Sequence, residues 1–228
     1  MEAPKMKQKM LKFVGLFLAI GLLSACNQDD QVVEQMMDKL EKAAEVEADF
    51  AAQQEPLVEL ETKEQALYEQ MKELGLGEID EIIKLANEAT TYADERKTLI
   101  AKEKQAIEAS KAEFKEVYEL VKQIEDETLK AKADAVVAEW DKRYNSYLDL
   151  NEKYNETIEL DQEFYQLFQL EDIEMEEIQQ IIESINKSYE EILNLKEEFN
   201  THTSAYNDAK IEFYKAANIE VIIAGEQE

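Results

Sequence analysis

The 228-residue sequence is short of most of the residues that chemistry and tight turns rely on. It has one cysteine and one histidine, so a disulfide, a zinc ribbon and a His-rich metal site are all excluded. Its 5 glycines and 2 prolines are too few for the many turns of a β-sandwich or barrel. It has only 25 basic residues against 53 acidic ones, a net charge of -28. A basic footprint for nucleic-acid phosphates is therefore missing, and no nucleic-acid partner is expected.

What is present begins with an address. Lys5, Lys7, Lys9 and Lys12 precede an apolar and glycine run from Phe13 to Leu23. The run suits the h-region of a secretory signal and is shorter than the ~20 residues of a membrane span. Leu23-Ser24-Ala25-Cys26 follows and looks like a bacterial lipobox. Small residues fit the peptidase site, and the Cys26 thiol receives the lipid. Cleavage between Ala25 and Cys26 is expected, with residues 1–25 as signal peptide and 26–30 as lipidated cysteine and linker. The alternative is an ordinary secretory signal with an incidental cysteine. Removing residues 1–25 takes away four lysines and Glu2, so the net charge goes from -28 to -31. The expected location is the outer face of the cell membrane, anchored through Cys26.

From Asp29 onward the apolar residues recur at threes and fours, the spacing of a helical seam facing a partner. One seam runs Val33, Met36, Leu40, Ala43, Phe50, Leu57, Leu60, Leu67, Met71, Leu74. A second runs from Ile79 through Ala86, Ala93, Arg96, Ile100, Glu103 and Ile107 to Phe114 and Ile124. A third runs Leu129, Ala133, Val136, Trp140, Tyr144, Tyr147, Tyr154, Ile158, Phe164 or Tyr165, Phe168. The fourth runs from Ile178 through Ile192, Phe199, His202 and Tyr206 to Phe213. Gly75-Leu76-Gly77 is a helix stop. Two jumps of phase, with Asp126 and Asp172 as N-caps, mark the other turns.

The spacing predicts helices near 31–73, 78–123, 127–169 and 173–217, each about 65 Å long. The fold class expected is all-α: an elongated, antiparallel, up-and-down bundle over 31–217 with a tail at 218–228. A three-helix coiled-coil rod is the alternative. Pro56 should kink or unwind the first helix near Ala52–Glu55. The apolar tail from Ile219 to Gly225 should cover the bundle end or touch lipid.

Several runs in order carry a resemblance. Gln53-Gln54-Glu55-Pro56-Leu57, Lys63-Glu64-Gln65 with Leu67-Tyr68, Lys102-Glu103-Lys104, and Ala109-Ser110-Lys111 with Phe114 are four of them. Phe199-Asn200, Tyr206-Asn207 and Phe213-Tyr214 close the series. The chain resembles the YkyA-type cell-wall-binding lipoproteins of Gram-positive bacteria. That resemblance implies a helical-bundle surface lipoprotein associated with the wall, and it carries no catalytic residues over.

The candidate chemistry is sparse. His202 on a seam is a pH switch or a satisfied core residue. Arg96, Glu103 and Glu64 can form a buried ionic layer that fixes register. Trp140, Tyr144, Tyr147, Tyr154, Phe164, Tyr165 and Phe168 are either core or a glycan-stacking platform, and Phe164 and Tyr165 cannot both face inward. No calcium-loop spacing occurs, and neither metal nor cofactor is expected. If the chain starts at the membrane, the turns near Gly75–Gly77 and Leu170–Asp172 meet at the distal end. Leu76, Glu78, Asp80, Leu170, Glu171 and Glu174 are then the candidate tip residues for a ligand. The function expected is non-enzymatic binding of a wall polymer or wall-associated protein. A spacer or scaffold, and a wall hydrolase with paired carboxylates, are the alternatives.

Overall fold

The computed structural model describes residues 28–74, 76–170 and 174–220. The described residues hold helices and turns and no strand. Four helical arms pack antiparallel. The first arm is α1 (Gln28–Val46) and α2 (Ala48–Glu73); the second, after a 3-10 turn at Leu76–Glu78, is α3 (Ile79–Phe114) and α4 (Val117–Val121). The third is α5 (Glu127–Leu167) and the fourth α6 (Met175–Ala216). No described helix is long and apolar enough to cross a membrane.

The seams explain the arms. In the second, every seam residue from Ile82 to Ile124, charged ones included, is buried. The chain forms two compact units. The first comprises residues 52–104 and 149–196 among those described, the second 28–51, 105–148 and 197–220.

The first unit is built on a cluster with Leu67, Met71, Ile82, Phe164, Phe168 and Ile181 at its centre. Leu74 and Ile79, on either side of one turn, pack on it beside Phe168 and Ile178, which flank another. The second unit centres on Met36, Leu40, Phe114, Val136, Trp140 and Phe213. Phe114 and Trp140 stack with ring centroids 4.3 Å apart, while Phe50 meets Tyr147 edge-on at 5.6 Å. Asp29 reaches the turn after α4, its two carboxylate oxygens accepting from the backbone N–H of Glu125 and Asp126 at 2.8 and 2.9 Å. Asp126 then caps α5, accepting from the Leu129 N–H at 2.8 Å.

Three expectations are corrected. The first arm breaks at Glu47 rather than near Ala52–Glu55, and α2 runs unbroken through Pro56. Pro56 and Ala52 both lie on the exposed face, so water can satisfy the carbonyl that the proline leaves without a donor. At Glu47 the carboxylate turns inward to Arg143 and Ser110. The second arm is interrupted at residues 115–116, where Tyr118 sits edge-on to Phe114 and donates its hydroxyl to Asp141. Finally, Phe164 and Tyr165 are both buried, because α5 packs against more than one neighbour and so buries a wide face.

At its end α6 closes on Asn218, whose φ of 57° is left-handed. Asn218 N–H donates to the Lys215 carbonyl and Ile219 N–H to the Tyr214 carbonyl, at 3.1 and 2.9 Å, the pairing of a Schellman cap. Ile219 packs on the core of the second unit, as end-covering requires. The rest of the expected tail, residues 221–228, lies outside the described residues.

Candidate functional site

The first unit contains a buried polar knot. Arg96 on α3 is 0 % exposed. Its Nη1 donates to Glu64 Oε2 at 2.7 Å and to Asp161 Oδ2 at 2.9 Å, so α2 and α5 share one nitrogen. The Tyr165 hydroxyl donates to Glu64 Oε1 and the Tyr189 hydroxyl of α6 to Asp161 Oδ2, both at 2.8 Å. The Arg96 guanidinium lies 5.7 Å from the Tyr154 ring centroid. Its Nε and Nη2 are buried and donate to nothing among the described residues. Burial opposes the Arg96 charge, but the surrounding Tyr189, Glu64 and Asp161 hold it well above its ordinary pKa. Burial pushes Asp161 up to about 7, against the pull of Arg96 and with Glu64 adding repulsion. Tyr165 and Tyr189 are raised, chiefly by burial.

A pocket of about 100 Å³ opens beside the knot between α2, α5 and α6. Glu61, Glu64 and Tyr68 line it from α2, Asp161 and Phe164 from α5, and Ile182, Ile185 and Tyr189 from α6. Tyr68 and Phe164 meet with ring centroids 5.9 Å apart.

The second unit has a different knot. Arg143 grips Glu47 with both ends of its fork, Nη1 to Oε1 at 2.9 Å and Nη2 to Oε2 at 2.6 Å. Its Nε donates to the Thr203 hydroxyl at 3.1 Å, and Ser110 donates to Glu47 Oε1 at 2.7 Å. Trp140, Phe199 and Tyr206 surround the guanidinium at 5.4, 5.1 and 5.9 Å from their centroids. Nearby, Glu41 accepts from Lys210 Nζ at 2.9 Å and from the Tyr214 hydroxyl at 2.8 Å.

Of the ionic layer expected from sequence, Arg96 and Glu64 come together and Glu103 stands apart. Glu103 accepts from Gln54, and burial raises it to about 8, with Lys196 pulling down and Glu61 pushing up. The seam pattern does not single out Asp161, Tyr189, Glu47 or Arg143. Glu47 fills a seven-residue gap of the first seam, Ala43 to Phe50, while Arg143 and Asp161 sit three positions after Trp140 and Ile158, where the third seam reads Tyr144 and Phe164 or Tyr165 instead. His202 is half-buried, with its Nε2 3.7 Å from Glu198 on its own helix.

Trp140, Tyr147, Tyr154, Phe164, Tyr165 and Phe168 are buried. Tyr144 is half-buried, under Lys111 at 3.7 Å from its centroid. This is core packing rather than a stacking platform. Among the tip residues, Leu76 lies in the 3-10 turn, while Glu78 and Asp80 are exposed at the start of the second arm. Leu170 and Met175 are 51 % and 61 % exposed, and Glu174 is exposed. The two turns flank the same cluster of the first unit, as the four-arm path requires. Ala25, Cys26, Glu171 and the Asp172 cap lie outside the described residues.

Fold and site together define a class: an all-helical bundle whose arms are tied by buried ion pairs, with a small acidic, aromatic pocket between three of them. The chain belongs to the YkyA family, described as "putative cell-wall binding lipoprotein", which matches residues 31–216. It is 34% identical over 209 residues to a lipoprotein YkyA of Bacillus subtilis (strain 168), described as uncharacterized, covering 91% of this chain and 93% of that one. A crystal structure of a conserved protein of unknown function from Staphylococcus aureus superposes with a TM-score of 0.73 at 14% identity. The match covers 86% of this chain and 98% of that one, and at that identity it bears on the fold alone.

Proposed function

We propose that this protein is a non-enzymatic, lipid-anchored protein on the outer face of the cell membrane that binds the cell wall or a wall-associated component. The observation that carries the reading is the family match over residues 31–216, directly behind the Leu23-Ser24-Ala25-Cys26 lipobox. The state of the buried carboxylates supports the non-enzymatic part. Glu64 has both oxygens taken, by Arg96 and Tyr165, and so has Glu47, by Arg143 and Ser110. A hydrolase would need such groups poised for proton transfer to a substrate.

The test is retention of the purified chain on wall sacculi, with and without their teichoic polymers. Retention is expected, and a chain that stays in solution in both cases acts as a spacer instead. Cys26→Ala should remove lipid labelling and detergent partitioning while leaving the helical content unchanged. A Cys26→Ala chain that still sediments with membranes after a high-salt wash would place the anchor elsewhere.

A further inference from the structure

We propose that the pocket between α2, α5 and α6 of the first unit is a binding site for an ammonium group. The source we assign to that group, an amine-bearing component of the wall, rests on the wall-binding reading; the chemistry of the site does not. Three observations converge on a cation.

The first is charge. Glu61, Glu64 and Asp161 line the pocket, and no lysine or arginine does. Arg96 lies beside it, fully buried, and its single charge is opposed by Glu64 and Asp161 together. Above about pH 7, where Asp161 is ionised as well as Glu64, the surroundings carry more negative than positive charge in a poorly solvated place. A phosphate or carboxylate is repelled there, and a neutral ligand leaves the surplus uncompensated.

The second is an open acceptor. Asp161 takes both of its hydrogen bonds, from Arg96 and from Tyr189, on Oδ2. Its Oδ1 takes neither, and Asp161 is part of the pocket wall. An ammonium N–H entering the pocket finds a carboxylate already oriented by two fixed donors on its other oxygen.

The third is the apolar wall and its size. Tyr68, Phe164 and Tyr189 contribute aromatic rings and Ile182 and Ile185 apolar surface for a methylene stem, with Gln65 and Asn186 as neutral polar groups in the same wall. Aromatic faces attract cations through their quadrupole, most strongly where water is scarce. A cavity of about 150 Å³ accepts a benzene ring, so about 100 Å³ suits a smaller group such as a primary ammonium on a short stem.

The test uses the full chain and titration calorimetry with n-butylammonium, n-butanol and butyrate as probes of one shape and three charges. The ammonium should bind, the alcohol about tenfold more weakly or worse, and butyrate not at all. Tyr68→Leu should weaken the ammonium several-fold, and Ile185→Trp, which fills the pocket, should abolish it. Asp161→Asn should weaken it as well; if that variant loses its helical circular dichroism, Ile185→Trp alone decides. Equal binding of alcohol and ammonium, or unchanged binding in both Tyr68→Leu and Ile185→Trp, overturns the site. The wall arm compares sacculi with free and with acetylated amines. Capture lost on acetylation and in Ile185→Trp assigns the wall amine as the source. Capture that survives both keeps the wall reading and overturns the pocket as its contact. Butylammonium binding with no sacculus capture keeps the pocket and overturns the wall reading.

Discussion

In the second unit Arg143 donates from all three of its guanidinium nitrogens, to a carboxylate and a hydroxyl, inside a ring of three aromatic side chains. In the first unit Arg96 donates from Nη1 alone, to two carboxylates on different helices. Its remaining nitrogens are buried without acceptors among the described residues. Both arginines sit in helical seams, and both replace an apolar residue that would pack with less desolvation cost. Every guanidinium nitrogen of Arg143 has an acceptor, although the Trp140 Nε1 beside it is buried without one among the described residues, and the planar, bidentate geometry fixes the register of its helices. The Arg96 knot is unsaturated, carries an excess of carboxylates and borders a pocket. One region is finished as structure, and the other retains the uncompensated charge that a ligand can use.

Arg96→Met probes the difference most strongly. It leaves Glu64 and Asp161 buried together without a cation, and should destabilise the chain by about 3–5 kcal/mol at pH 8. Burial already holds Asp161 above its ordinary pKa, and losing the pull of Arg96 raises it further. Part of the lost stability should therefore return as pH falls toward 5 and Asp161 protonates. Denaturant melts at the two pH values read this; an equal loss at both would mean the carboxylates escape to water instead.

Arg143→Met should cost less, about 3 kcal/mol, because one carboxylate is stranded rather than two, each keeping one hydroxyl donor in either variant. A larger loss than for Arg96→Met, measured the same way, would reverse the ranking of the two knots.

Glu103→Gln should stabilise the chain by about 4 kcal/mol at pH 8 and have little effect at pH 4.5. The sign follows from burial, which raises Glu103 from 4.5 to about 8 in the folded chain. Its ionisation then costs stability progressively as pH climbs through that window. Lys196 and Glu61 are the charges that act on it, and Gln54 can still donate to the new amide oxygen. Thermal melts across the range check the slope, and a variant that is uniformly less stable would contradict it.

Asp126→Ala is the smallest of the set. It removes the cap of α5 in the second unit and should cost about 1 kcal/mol, with no change in anything bound by the first.

Most of this fold is legible in its apolar seams. Ile82 through Ile124 are buried along one stripe, and Asp126 caps where the phase jumps. Charged seam residues are legible only in part. Arg96 stands out because it interrupts short spacings, and Glu64 and Glu47 fill seven-residue gaps of the first seam, Leu60 to Leu67 and Ala43 to Phe50. Arg143 and Asp161 are masked by the neighbouring Tyr144 and Phe164, which can be taken for the seam. A charge inside a seam gains its meaning from its partner, and the partners lie 32 to 96 residues away in the chain. The pocket is not legible at all in the sequence. It depends on how Tyr68, Phe164 and Tyr189, from three helices, leave space instead of filling it.

The contrast between the two units is tested most directly by methyl NMR on the full chain labelled at isoleucine, titrated with solubilised wall fragments. Ile182 and Ile185 line the pocket of the first unit, whereas Ile124 and Ile219 belong to the core of the second. The account predicts shifts at Ile182 and Ile185 with Ile124 and Ile219 unmoved. Shifts at Ile124 and Ile219, or shifts confined to Ile79 and Ile178 beside the Leu76–Asp80 and Leu170–Glu174 turns, would contradict it.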